Sequence, residues 1–236
     1  MLLKVMSYNT QHCLNYVTRK IDYDIMVDTI KKCGADIVGL QEIRDEGAKA
    51  DYQAQTKILA EKLGYYYYFA EAIRFGGENP YGNALISRYP ITSAETIKIP
   101  DPEVRKYDGY YETRCLLKAT IDVGSGLNVL VSHFGLNPDE QENAVKTVVS
   151  HIPAERCVLM GDFNMKPDNQ RLTPITEKLQ DTASAFSAPK FSFPSDAPTR
   201  KIDYILVTKD LIVESADIPE IVSSDHRPHT ATIAFA

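Results

Sequence analysis

Short apolar runs recur along the whole chain, and several of them stop abruptly on a polar string. Cys157-Val158-Leu159-Met160 runs into Gly161-Asp162-Phe163-Asn164, and Ile218 through Val222 runs into Ser224-Asp225-His226. Runs this short and this apolar have the length of buried strands rather than of helices. A chain built of them folds as sheets with covered faces. Asp162 and Asn164 are two residues apart, so in extended geometry both project from one face while Phe163 projects from the other. One face is free for chemistry and the other packs.

The same reading places strands over 2–8, 36–40, 65–70, 84–87, 91–99, 113–123, 127–132, 157–160, 202–208, 211–217 and 230–235. Gly124-Ser125-Gly126 sits between two apolar runs and pairs 113–123 with 127–132 as a hairpin. Helices are expected over 22–33 and 51–63, each closed by a glycine, Gly34 and Gly64. A third runs from Asn137 to about Ser150. Its start combines an Asn cap, Pro138 at the first position and Glu140 three residues after the cap. A fourth covers roughly 169–179. Many strands, several joined by hairpins, with few helices imply an α/β layered fold of mixed sheets covered by helices. No linker, repeat or low-complexity block interrupts the chain, so residues 1–236 read as one domain.

The net charge of −6 and the pI of about 5.4 argue against a dedicated nucleic-acid binder, which carries a basic footprint. Cys13, Cys33, Cys115 and Cys157 show no Cys-x-x-Cys spacing and sit in apolar stretches. Free buried thiols fit them better than a zinc site or a disulfide framework. A strand begins almost at the first Met, with no leader and no long apolar span, so a cytoplasmic protein without a transmembrane segment is expected.

Several polar residues stand where strands end. Glu42 follows the 36–40 run and is either a surface acid opening a loop or an oxygen ligand for a hard cation. Asn9 closes the first strand and could cap a turn or hold a metal or phosphate. His133 closes the 127–132 strand and could donate to a phosphoryl oxygen or protonate a leaving group. Asp203 lies inside Ile202-Asp203-Tyr204-Ile205, where a carboxylate is costly unless paired. It is either a satisfied structural acid or the group that orients His226. Arg114 in Glu112-Thr113-Arg114 is a solvated strand-end charge or a planar clamp for phosphate. His12 reads as a loop neighbour of the site. Neither His151 nor His229 is given a role. Residues 71–81 and 100–112 read as loops rimming a cleft.

Taken in order, seven segments resemble the endonuclease/exonuclease/phosphatase superfamily. They are Ser7-Tyr8-Asn9, 36–42 ending in Gln41-Glu42, 81–91 beginning Tyr81-Gly82-Asn83, Ser132-His133, 159–164 with Gly161-Asp162-Phe163-Asn164, Ile202-Asp203-Tyr204-Ile205 and Ser224-Asp225-His226. The resemblance implies a four-layer α/β sandwich of the DNase I type, with two mixed sheets face to face and helices outside. It implies Mg²⁺ (or Mn²⁺) held by Glu42, Asn9 and Asp225. It implies that Asp162 orients or deprotonates the attacking water and that Asn164 positions water and phosphoryl group. Asp203 would pair with His226 at the phosphate, and His133 would stabilise the pentavalent phosphorus or assist the leaving oxygen. Arg114 joins Asn164 and His133 as a substrate contact. The substrate is then a phosphate ester, either a small molecule or lipid headgroup, or a nucleic acid, which the charge does not favour. A binding module of the same fold without activity would show decay at these positions, and none is present.

Overall fold

The computed structural model describes residues 1–235. Twelve strands form two six-stranded sheets. The first contains β1 (Leu2–Asn9), β2 (Ile37–Arg44), β3 (Tyr66–Phe75), β4 (Asn79–Ser87), β11 (Leu211–Asp217) and β12 (His229–Phe235) in the order β11-β12-β1-β2-β4-β3. The second contains β5 (Ile91–Lys98), β6 (Cys115–Ile121), β7 (Leu127–His133), β8 (Cys157–Asp162), β9 (Leu179–Asp181) and β10 (Asp203–Thr208) in the order β5-β6-β7-β8-β10-β9. Both sheets are mixed. β1 and β2 pair in parallel, as do β7 and β8, and the remaining pairs are antiparallel.

Three apolar cores make this a four-layer sandwich. The central one joins residues of both sheets, among them Leu3, Val5, Leu85, Leu117, Val131 and Met160. A second lies between the first sheet and two helices, α1 (Tyr23–Cys33) and α2 (Gln55–Leu63). A third lies between the second sheet and α3 (Pro138–His151) with the short α4 (Thr173–Thr176). Strands buried on both faces must be apolar at every position, which is why Cys157 to Met160 is an unbroken run. All four cysteines are free and buried.

The helix punctuation acts as the sequence suggests. Gly34 and Gly64 are left-handed, with φ of 64° and 70°, and close α1 and α2. The Glu140 carboxylate accepts the Asn137 backbone N–H at 3.1 Å, reaching back across the first turn of α3. The 113–123 and 127–132 runs form the β6–β7 hairpin, with Ile121 opposite Leu127.

Four expectations are corrected. Residues 218–222 are not a strand: Pro219 has no N–H for a ladder, and Ile218 is instead buried singly as the chain turns. The helix expected over 169–179 is a 3₁₀ turn (Gln170–Leu172) followed by the single turn of α4, because Leu179–Asp181 leaves to pair with β10. α2 begins at Gln55 rather than Asp51. Residues 71–81 are no loop: β3 and β4 extend through them as a hairpin turning at Gly76 and Gly77, both at positive φ. Residues 100–112 do lack regular structure.

Candidate active site

The parallel pairs β1–β2 and β7–β8 end on the same side of the sandwich, and their last residues meet there. Asn9 closes β1, His133 closes β7 and Asp162 closes β8. Asp203 opens β10 directly opposite Asp162 in the antiparallel register. Asn164, Asp225 and His226 follow on adjoining segments.

Two local devices aim these side chains. At Gly161 the β7 backbone approaches so closely that a Cβ would lie 2.0 Å from the Ser132 carbonyl oxygen. Only glycine allows that approach, and it sets Asp162 beside His133. In β2, the register against β4 shifts between Leu40 and Ile43, and Glu42 sits in this bulge at φ 58°. The bulge turns Glu42 out of the ladder and toward Asn9. Immediately after Asn9 the chain reverses through Gln11, His12 and Cys13, all at positive φ, a conformation L-residues adopt only when their surroundings impose it.

Asp162 is the hub. It is 1% exposed. Its Oδ1 accepts the Asn164 backbone N–H at 2.9 Å, and its Oδ2 accepts the Asn9 side-chain N–H at 3.2 Å. The Nε2 atoms of His133 and His226 stand 3.5 Å and 3.6 Å from the same Oδ2. The Asn9 amide also donates to Glu42 Oε1 at 3.0 Å and so ties the two sheets' carboxylates together.

The two imidazoles are backed by opposite groups. His226 Nδ1 lies 2.8 Å from Asp203 Oδ2 in a fully buried pair, while Phe193 packs on the ring. His133 Nδ1 lies 3.0 Å from Arg114 Nη1, and Arg114 in turn forms an ion pair with Glu112 at 2.5 Å. Asn164 Nδ2 donates to the Phe134 carbonyl at 3.0 Å and lies 3.2 Å from His133 Nε2. Behind them, Phe134, Phe163 and Tyr204 stack at 4.3 Å and 4.9 Å, which is the packing face expected for Phe163.

Electrostatics follow from this packing. Burial pushes the Asp162 carboxyl above the usual range; the His226 ring opposes the shift and the Asp203 charge reinforces it. Burial disfavours the charged form of His226, but Asp203 and Asp162 together outweigh it, and the ring's pKa is raised. His133 moves the other way, far below the ordinary imidazole value, through burial, then Arg114, then His226. Asp225 is raised by burial and by the negative charge of Glu42, against the pull of His226.

Two sets of donors could hold a cation. Asp162, Asp203 and His226 offer ligand atoms within 4.8 Å of one another, although the Asp203–His226 hydrogen bond already spans that space. Glu42 and Asp225 face each other closely enough for repulsion, and the Asn9 amide stands beside Glu42. A pair of carboxylates suits a hard divalent cation; the Asn9 atom beside Glu42 is the N–H donor Nδ2, while its Oδ1 accepts the Gln11 backbone N–H at 3.1 Å.

Glu112 and Tyr81 were given no role from the sequence. The Glu112-x-Arg114 spacing puts both side chains on one side of an extended chain, a signal that could have paired them. Tyr81 is raised well above its ordinary pKa by burial and then by the charges of Glu42 and Glu112. His151 lies at the end of α3, apart from this cluster; His229 is buried against Thr182 and Phe186, with its Nδ1 3.3 Å from the Asp203 backbone carbonyl.

Comparison with known proteins adds two findings. The model of the endonuclease/exonuclease/phosphatase family matches residues 6–226. Solved structures share the fold. A member of that family from Beutenbergia cavernae has a TM-score of 0.80 at 21% identity, covering 100% of this chain and 72% of that one. The mannosyl-6-phosphatase Bt3783 of Bacteroides thetaiotaomicron has a TM-score of 0.77 at 17% identity, covering 99% and 100%. The human Nocturnin catalytic domain, solved with a bound sulfate, has a TM-score of 0.71 at 18% identity, covering 100% and 94%.

Proposed function

From the premise that this chain belongs to the endonuclease/exonuclease/phosphatase family, we propose that it is a divalent-metal-dependent hydrolase of phosphate esters. Its substrate is a small molecule or a lipid headgroup. The observation that carries this is the convergence of His133, His226 and Asn9 on one buried carboxylate, Asp162, at 3.5, 3.6 and 3.2 Å. A buried acid flanked by imidazoles, beside a second group of unneutralised carboxylates, suits attack of water on phosphorus.

Glu42, Asn9 and Asp225 would hold Mg²⁺ or Mn²⁺, which supplies charge neutralisation and Lewis acidity at the phosphoryl group. Asp162 takes the proton of the attacking water as the new P–O bond forms; the ester P–O bond breaks, and the leaving oxygen departs with the bonding pair and takes a proton from solvent water. Asn164, anchored through the Phe134 carbonyl, keeps its remaining amide hydrogen for the water or a phosphoryl oxygen. Asp203 fixes the Nδ1–H of His226, so its Nε2 faces the reacting centre and meets the developing charge. His133 presents its Nε2 from the opposite side. Among the described residues no helix is long and apolar enough to cross a membrane.

The acidic balance of the chain favours a small ester over nucleic acid. The test is Mg²⁺-dependent hydrolysis of bis(p-nitrophenyl) phosphate, p-nitrophenyl phosphate and hexose 6-phosphates, beside plasmid DNA and single-stranded RNA, with Asp162→Ala as control. Turnover of a small ester, lost in the control and with intact nucleic acid, is expected. Cleavage of DNA or RNA faster than any small ester would make it a nuclease, and no turnover of anything would overturn the hydrolase.

A further inference from the structure

A guanidinium carries only N–H donors. Arg114 Nη1 stands 3.0 Å from His133 Nδ1, so that nitrogen must present its lone pair. The other nitrogen then bears the proton. Asn164 Nδ2, also a donor, lies 3.2 Å from Nε2, and an imidazole with a proton on one nitrogen cannot accept at both. The conflict resolves in favour of Arg114. Its charged, shorter contact is the stronger one, and the Asn164 amide already has an acceptor in the Phe134 carbonyl at 3.0 Å. The Nε2–H so defined faces Asp162 Oδ2, 3.5 Å away.

Arg114 is itself held. Its side chain is 11% exposed and forms an ion pair with Glu112 at 2.5 Å, a side chain 9% exposed. The Glu112 backbone N–H is in turn taken by Glu140 Oε1 at 3.1 Å, on the first turn of α3. The chain Glu140–Glu112–Arg114–His133–Asp162 is continuous, and Arg114 stands behind the imidazole. Its Nη1 already faces both Glu112 and His133, so that nitrogen has no N–H left for a substrate.

We propose that Glu112 and Arg114 are positioning residues that lock His133 in its Nε2–H tautomer, so that this ring serves the reaction as a fixed N–H donor and not as a proton donor that turns over. Asp203 and Arg114 thus back two otherwise similar imidazoles with opposite partners and give them different work. This rests on the hydrolase reading of the same site, and the experiments separate the two.

The first experiment needs no substrate. Long-range ¹⁵N–¹H correlation of the full-length protein, with and without Mg²⁺, should show His133 with an acceptor-type shift at Nδ1 and a donor-type shift at Nε2. The opposite pattern, or two donor-type nitrogens near neutral pH, overturns the proposal whatever the activity. The second experiment splits kcat from KM on bis(p-nitrophenyl) phosphate. Arg114→Leu should lower kcat by about 10²-fold with KM nearly unchanged, and should mix the His133 tautomers. Arg114→Lys keeps a donor against Nδ1 and should restore the tautomer and most of kcat. Glu112→Gln should lie between them. A raised KM with kcat intact in Arg114→Leu would make Arg114 a direct substrate clamp and overturn the assignment. Should no ester be turned over at all, the hydrolase reading fails while the tautomer measurement still stands alone.

Discussion

Replacing Gly161 with alanine adds a single methyl group where β7 and β8 leave none free. The added Cβ would sit 2.0 Å from the Ser132 carbonyl oxygen and 3.0 Å from the Phe163 ring. A carbon next to a carbonyl oxygen ordinarily rests at about 3.3 Å or more, so the two backbones must part by roughly 1.3 Å. They are paired there, Ser132 with Gly161 and His133 with Asp162, so the displacement passes straight to the Asp162 carboxylate. Overpacking of this kind costs about 1–3 kcal/mol, which for a chain of this size lowers Tm by about 4–8 °C at the middle of that range. The rate should suffer far more, because a displacement of about 1 Å in a reacting group costs about 10²-fold. The assay is Mg²⁺-dependent ester hydrolysis, run well below the variant's melting point, beside circular dichroism. A variant with lowered Tm but kcat within about twofold of wild type would refute the reasoning, since the strands would have parted without moving Asp162.

Other perturbations have equally definite outcomes. Asp162→Ala and His226→Ala should each lose at least about 10²–10³-fold in kcat under saturating Mg²⁺; near-wild-type turnover in either removes it from the chemistry. Because burial raises the Asp162 carboxyl, the acid limb of kcat/KM should lie above the usual carboxylate pKa of about 4, and a limb at or below 4 would contradict it. His229 is held down to about 4 by burial, then by nearby Lys201. The unfolded chain therefore binds a proton that the native one refuses once pH falls below about 6.5. Stability is lost as pH falls, by about 2 kcal/mol at pH 5 from this residue. His229→Gln should show a shallower loss of Tm between pH 7 and 5, and an unchanged slope would rule this out.

The layered architecture was legible in the sequence, as were the polar residues that gather at one end of it. Asp162 and Asp203 sit at strand ends, where a polar residue needs a reason, Asn164 and His226 follow on adjoining irregular segments, and the chain brings all four together. Length and turn residues found the β6–β7 hairpin and both glycine-capped helices. What failed had identifiable causes. Ile218 to Val222 has the composition of a strand but contains Pro219, which outweighs it. Residues 169–179 carry a helical pattern, yet Leu179–Asp181 gains ladder hydrogen bonds on β10 that no local signal foretells. Residues 71–81 are rich in glycine and charge because they form an edge hairpin with one wet face. Glu112 escaped notice because its partner, Arg114, reads as an ordinary strand-end charge until both are seen buried.

The bulge at Glu42 sets a rule for anyone redesigning or aligning this strand. Between the Leu40–Ala84 and Ile43–Gly82 pairs, β2 advances three residues while β4 advances two. Shortening β2 by that one residue would make the ladder more regular and, by secondary-structure criteria, better formed. It would also rotate the acid position onto the opposite face, since side chains alternate with a period of two. A relative lacking one residue here would therefore have an intact sheet and no carboxylate beside Asn9, however closely its flanking residues matched. The length of this short segment, more than its composition, separates a chain that brings a carboxylate to Asn9 from one that merely shares the architecture.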